Sequence, residues 1–277
     1  MCRWLAYTGE PLRPSTLVLD SPHSIVAMSR NSPLGAETVN GDGFGLGWYR
    51  EDGAPHPSLF RSTEPAWQDE NLREISAAVR SRLFFAHVRA ASPESPVQRT
   101  NSHPFRHENW LFMHNGSIAQ FPLLHRQLLL DVDPSLFPSI QGSTDSELLF
   151  HLALTYGLAD DPIRAMAEAI RRVEGVARAA GVPNPVQATI AVSDGRMLWA
   201  FRYSSVGHSR TLFHSADIPT LRQMFPDDER LSRFGDHAHM VVSEPLTDLP
   251  GAFLEVPEAT AMVVDPGGYE HQPFLAG

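Results

Sequence analysis

This chain carries one cysteine, Cys2. That scarcity excludes an intrachain disulfide framework and the paired-cysteine spacing of a structural zinc site. Positive charge is also short: 22 Lys and Arg against 32 Asp and Glu leave a formal net charge of −10. A general nucleic-acid binder needs clustered cations, so that class is disfavoured. No apolar run approaches the ~18 residues that cross a bilayer, and Arg3, Glu10 and Pro11 interrupt the start, where a secretory h-region would lie. Internal repeats and low-complexity linkers are missing as well. These absences leave a chain expected in the cytoplasm, with no nucleic-acid and no membrane partner, acting on a small molecule or a protein.

With 277 residues, 42% of them hydrophobic, the chain can bury a sizeable core. Proline-rich segments at residues 92–97, 133–138 and 181–185 are loop-sized, so one domain over residues 1–277 is expected. Strand-like runs lie at residues 2–7, 44–49, 84–91 and 110–114. Two helical patterns follow. Thr144 to Glu147 reads as a capping box before Leu148, Leu152 and Tyr156; Asp161 and Pro162 open a second face of Ile163, Met166, Ile170 and Val173, with Gly175 after it. More strands are expected at residues 188–193, 197–202, 211–214, 239–243 and 261–265. Strands, then helices, then strands again predict an α+β sandwich rather than a βαβ repeat.

The stretch from Asn40 to Trp48 is glycine-rich but spaced G-x-G-x-G-x-G, and a strand follows it. It fails the dinucleotide fingerprint and reads instead as a turn entering a strand that another backbone or a ligand approaches closely. Period-two alternation puts His87 and Arg89 on one face of their strand and Ala86 with Val88 on the other. An arginine inside an apolar strand needs an anion, either a protein carboxylate or a ligand carboxylate held by its fork. The run from Trp110 ends at Asn115-Gly116, a strong turn dipeptide that could equally present two donors to an oxyanion. Asp145 sits in the first turn of a helix, where a carboxylate favours the dipole anyway. His87, His103, His107 and His114 share no ligand spacing such as H-E-x-x-H, so no metal and no cofactor are expected. Cys2 directly follows Met1. Aminopeptidases generally remove Met1 before a small residue, and the mature chain would then carry a thiol and an α-amine on one skeleton as nucleophile and base. Against this stands the ordinary role of a lone cysteine as a small buried hydrophobe.

In order along the chain, MCRWLAYTG, DGFGLGWY, FAHVRAAS, NSHPF, HNG and STDSE resemble the class II glutamine amidotransferases, over roughly the first 150 residues, with weaker similarity around residues 242–246. The resemblance implies a four-layer αββα sandwich of two antiparallel sheets, the N-terminal nucleophile hydrolase fold. It implies that Cys2 attacks the γ-amide of glutamine or of a γ-glutamyl compound to form a thioester. Asn115 and Gly116 would stabilise the oxyanion, Arg89 would hold the substrate α-carboxylate, and Asp145 its α-ammonium. His103 matches the family's histidine-proline loop and is taken as a structural residue behind the site.

Departures from the family pattern place the chain within it. After the arginine the large synthases carry Trp-Ala-Thr-His-Gly, where this chain has Ala90-Ala91-Ser92-Pro93-Glu94. Ser92 keeps a hydroxyl for substrate binding, but the indole and the glycine are gone. Arg3 stands where the synthases have glycine, and Asn40 where they have arginine. This points to a stand-alone branch that includes the γ-glutamyl hydrolase of ergothioneine biosynthesis. No second catalytic domain is expected, so ammonia would be the end product, pass to a separate acceptor or synthase subunit, or be replaced by a larger leaving group. The contrasting expectation is a catalytically silent glutamine-binding subunit.

Overall fold

The computed structural model describes residues 2–31, 39–92, 95–265 and 267–275. Its strands are β1 (Arg3–Leu12), β2 (Phe44–Trp48), β3 (Ser58–Ser62), β4 (Ser81–Val88), β5 (Phe105–His107), β6 (Trp110–Ile118) and β7 (Val186–Ser193). After these come β8 (Leu198–Ser204), β9 (Phe213–Ser215), β10 (His239–Val242), β11 (Phe253–Glu255), β12 (Thr260–Asp265) and β13 (Gly268–Pro273). The helices are α1 (Ser15–Val18), α2 (Ile25–Arg30), α3 (Glu70–Ala78), α4 (Phe121–Leu130), α5 (Asp145–Thr155), α6 (Pro162–Ala179) and α7 (Ile218–Met224).

Two antiparallel sheets form, one of seven strands in the order β11-β9-β10-β1-β4-β2-β3 and one of six in the order β13-β12-β8-β7-β6-β5. Alternation along each strand divides the apolar residues among three cores. On β1, Trp4 and Ala6 enter the layer between the sheets, while Leu5 and Tyr7 face α1, α2 and α7. On β4, Leu83 and Phe85 point between the sheets, and Phe84, Ala86 and Val88 toward the helices. The second sheet turns Phe112, Ile190 and Val192 toward α4, α5 and α6 and keeps Leu111, Met113 and Ala191 inside. The result is the αββα order of layers.

Local signals explain how the helices start. Asp161 accepts a hydrogen bond from Arg164 N at 3.0 Å and Pro162 opens α6, as its sequence predicts. That helix runs past Gly175 to Ala179, because Val176 and Ala177 continue its buried stripe. At α5 only half of the capping box forms. Thr144 Oγ1 accepts from Glu147 N, whereas the Glu147 carboxylate turns back to Gln141 N and Gly142 N.

The expectation for the glycine-rich stretch holds. Phe44 and Leu46 pack toward the helices, which leaves Gly45 and Gly47 on the inter-sheet face. A Cβ on Gly45 would lie 2.1 Å from the His103 carbonyl oxygen, so a neighbouring main chain does press on this strand. Asn115-Gly116 differs from expectation: it is no turn, since β6 continues through it to Ile118. Tertiary pairing with β7 overrides the local turn preference. A Cβ on Gly116 would fall 1.9 Å from Gln187 O, so this strand position has no room for a side chain.

Two glycine substitutions should therefore diverge. Gly45→Ala is expected to lower the urea midpoint by an amount equal to about 1 to 3 kcal/mol through overpacking. Gly175→Ala, on α6 with open space around its Cβ, is expected to raise stability by about 0.5 to 1 kcal/mol.

Candidate active site

The inward alternation of β1 carries on from Trp4 to Cys2, that of β4 from Phe85 through His87 to Arg89, and that of β6 from Met113 to Asn115. Antiparallel register sets Arg3 against Val88, so Cys2 lies opposite Arg89. The Arg89 main chain still belongs to the sheet, with its N–H on Gly43 O at 2.8 Å. Side chains tie the two sheets together here: Trp4 Nε1 donates to Thr189 Oγ1 at 3.3 Å, and that hydroxyl donates to Asn115 O at 3.3 Å. Cys2, Arg89 and Asn115 thus share one end of the inter-sheet layer.

The Cys2 thiol donates to Ala90 O, with Sγ 3.6 Å from the oxygen. Burial pushes its pKa up, while Arg89 and Arg3 pull it down. Arg3 points to the other face of the sheet, where it pairs with buried Glu244 and donates to Cys2 O at 2.7 Å. This ion pair fixes the main chain at Cys2.

Arg89 is buried. Its guanidinium donates to Ser95 Oγ at 2.6 Å, to Ser95 O at 3.4 Å and to Pro96 O at 3.1 Å. Burial lowers its pKa, and Cys2, Asp42 and Asp145 act in the opposite direction. Asp42 accepts from Ala91 N at 2.8 Å and so holds the chain just beyond Arg89. Asp145 caps α5 onto β6: its carboxylate accepts from Ile118 N and Ser146 N, each at 2.8 Å, and from Ser146 Oγ at 3.2 Å. A carboxylate has about four lone-pair positions, so one remains. Ser92 is exposed and, among the described residues, its hydroxyl makes no hydrogen bond; Ser95 supplies the hydroxyl on Arg89. Met1, Pro93 and Glu94 lie outside the described residues.

Behind the cleft, His87 and His103 stack with ring centroids 4.3 Å apart. Both are buried, and among the described residues none of their ring nitrogens has a hydrogen-bond partner. Burial pushes the His87 pKa down to about 3 and that of His103 well below the usual imidazole range. Neutral rings of this kind fill space in the inter-sheet layer behind Cys2. His114 instead turns toward α5, with Nδ1 2.8 Å from Ser146 Oγ, and burial lowers its pKa.

Several residues of the site escaped the sequence reading. Asp42, Ser95, Asn101, Thr189 and the Arg3–Glu244 pair all support it. Asn101 is wholly buried and donates to Pro96 O at 3.0 Å, the carbonyl that Arg89 also uses. Thr189 carried a usable signal, a hydroxyl at an inward strand position. Arg3 and Glu244 lie 241 residues apart, and no local pattern joins them.

Comparison with known proteins shows the family and the fold. The family model for class II glutamine amidotransferases matches residues 20–249. A probable glutamine amidotransferase of Saccharomyces cerevisiae, DUG3, is 33% identical over 295 residues, covering 95% of this chain and 82% of that protein. The γ-glutamyl-hercynylcysteine sulfoxide hydrolase of Mycolicibacterium smegmatis is 27% identical over 254 residues, covering 88% and 99%. A solved class II glutamine aminotransferase domain protein from Silicibacter pomeroyi superposes with a TM-score of 0.74 at 31% identity over the whole of both chains. The glutamine phosphoribosylpyrophosphate amidotransferase of Bacillus subtilis shares the fold at a TM-score of 0.65 and 16% identity, over all of this chain and 50% of that one. Among the described residues, no helix is long and apolar enough to cross a membrane.

The buried imidazoles make stability sensitive to acid. The unfolded chain binds a proton at each histidine near pH ~6.5, whereas folded His87 stays neutral down to about pH 3. Stability is therefore complete above the unfolded value and falls as pH drops through that window, by up to about 1.4 kcal/mol per pH unit for each such ring. His87→Gln should flatten the fall in urea midpoint between pH 6.5 and 4.5.

Proposed function

Because the chain belongs to the class II glutamine amidotransferases, we propose that it hydrolyses the γ-amide of glutamine or of a γ-glutamyl compound through a thioester on Cys2. The observation that carries this reading is the placing of the Cys2 thiol on the inter-sheet face, opposite Arg89 and in the layer that holds Asn115. Burial keeps the thiol protonated, so a nucleophile here needs a proton acceptor beside it. Once Met1 is removed, the α-amine of Cys2 fills that role.

Sulfur attacks the γ-carbonyl while the α-amine takes the thiol proton. The Asn115 side-chain amide and the Gly116 N–H stabilise the oxyanion, each worth about 3 to 4 kcal/mol in acyl-transfer sites. The carbon–nitrogen bond breaks, the amine leaves with the proton, and water activated by the same α-amine resolves the thioester to glutamate. Arg89 exchanges its Ser95 and Pro96 acceptors for the substrate α-carboxylate, which its fork binds more strongly than neutral carbonyls. The free lone pair of Asp145 accepts the α-ammonium, Ser92 lends its hydroxyl at the rim, and His103 supports the floor. The scheme uses no metal and no cofactor. Residues 1–277 are read as one glutamine amidotransferase domain; the released amine is either the product or the cargo of an acceptor.

A narrower reading, hydrolysis of a γ-glutamyl-hercynylcysteine sulfoxide type of conjugate, draws on the mycobacterial relative, nearly all of which this chain spans.

Cys2→Ala should reduce glutamate release by on the order of 10⁴-fold or more, and a diazo-ketone analogue of glutamine should label Cys2 in the intact protein. Unchanged release in Cys2→Ala would overturn the mechanism, and glutamine binding without labelling would favour a silent binding subunit. Asn115→Ala should lower kcat by about 10² to 10³ with a smaller change in KM. Glutamine and the conjugate assayed side by side separate the two readings: turnover of glutamine alone removes the narrower one.

A further inference from the structure

On the helix-facing side of the first sheet, packing leaves a cavity of about 610 Å³, open mouth included. Leu17, Ile218, Leu221, Leu231, Met240 and Leu246 line it, all members of the core that faces away from Cys2. Its outer wall is the 3₁₀ turn Glu229–Arg233, and that wall is tied down. Arg222 on α7 donates to Leu231 O at 3.3 Å and to Phe234 O, and it pairs with Asp236. At the mouth Arg230 holds Asp228, with Nε 2.8 Å from Oδ1. The cavity is therefore preformed, as small-molecule sites usually are.

Thr16 and Arg233 line this cavity and also a second hollow, of about 480 Å³, so the two adjoin. The second hollow has a different character. Arg13, Arg80 and Arg233 converge on it from just after β1, just before β4 and the end of the 3₁₀ turn, and among the described residues no carboxylate lines it. Among the same residues Arg13 makes no ion pair, and Arg80 donates to Pro11 O alone, at 2.8 Å. Arg233 reaches Asp20, on the cavity side, only at 3.9 Å, with both side chains half exposed. Three guanidiniums around one hollow repel one another unless an anion joins them, and this happens in a chain whose formal net charge is −10.

We propose that the two hollows form one binding site for an amphiphile with an anionic head and a single short apolar tail, separate from the cleft at Cys2. The tail fills the apolar cavity, where each buried methylene tightens binding by about fourfold. The head, a carboxylate or a phosphate, takes the guanidinium forks of Arg13, Arg80 and Arg233, which suit both. Neither hollow alone makes that choice: an uncharged apolar molecule leaves the arginines unmatched, and free phosphate leaves the cavity unfilled. The first sheet stands between this site and the inter-sheet layer that holds Cys2, so the ligand is not the substrate. The inference is independent of the hydrolase reading.

The test is calorimetric titration of the full chain with butanoate, hexanoate and octanoate, with octyl phosphate, and with octanol as the same tail without a charge. Affinity should rise about fourfold per methylene from butanoate to octanoate, and octanol should bind at least about tenfold more weakly than octanoate. The tighter of octanoate and octyl phosphate identifies the head, and binding of either supports the site. Arg13→Gln combined with Arg80→Gln, both at exposed positions, should remove the tenfold advantage and leave octanol binding unchanged. Ala252→Leu, at the cavity wall, should flatten the dependence on tail length. Thermal melting without ligand confirms that each variant folds. Failure of octanoate and octyl phosphate alike to bind, an affinity that does not grow with tail length, or octanoate binding undiminished in the double arginine variant would each overturn the proposal.

Discussion

Everything at the candidate site depends on β1 lying between β10 and β4 with its even-numbered side chains turned toward the second sheet. Trp4 and Ala6 are buried there, and shifting the strand by one residue would expel them and turn Cys2 onto the helix-facing side. The packing of a few apolar side chains thus aims the thiol. Arg3 secures the same register from the opposite face, since its guanidinium joins the Cys2 carbonyl to Glu244 on the chain beyond β10.

The site concentrates charges in a place that is costly for them. Arg3, Arg89 and Glu244 are all buried, and each is compensated in its own way: Arg3 and Glu244 by one another, Arg89 by main-chain carbonyls and Ser95. Bonds to neutral carbonyls are weaker than a fork on a carboxylate, so Arg89 retains affinity for an anion. The histidines below resolve the same difficulty by remaining uncharged. A cation that keeps its charge thus lies opposite Cys2, and groups that can shed theirs fill the layer behind it.

Much of this was legible in the sequence. Alternation in the run from Phe84 to Ala90 put His87 and Arg89 on one face, and they do lie in the inter-sheet layer with Phe85. The Asp161-Pro162 start of α6 was read from local chemistry that operates as expected. Asn115-Gly116 misled because its turn preference is local, whereas its pairing with Thr189 and Ala188 on β7 comes from more than seventy residues away. Short edge strands such as β5 and β11 carry too few residues to show a period.

Residue order and alternation determined which face of its strand each polar side chain takes, because a strand has only two faces and its apolar neighbours claim one. They determined the family too, through six ordered motifs that no single spacing could supply. Which strands became neighbours, and hence that Arg3 meets Glu244 and that Ser95 and Pro96 occupy Arg89, was decided only in the folded protein. Sheet order is set by the joint burial of three cores, a property of the whole chain that no window of sequence contains.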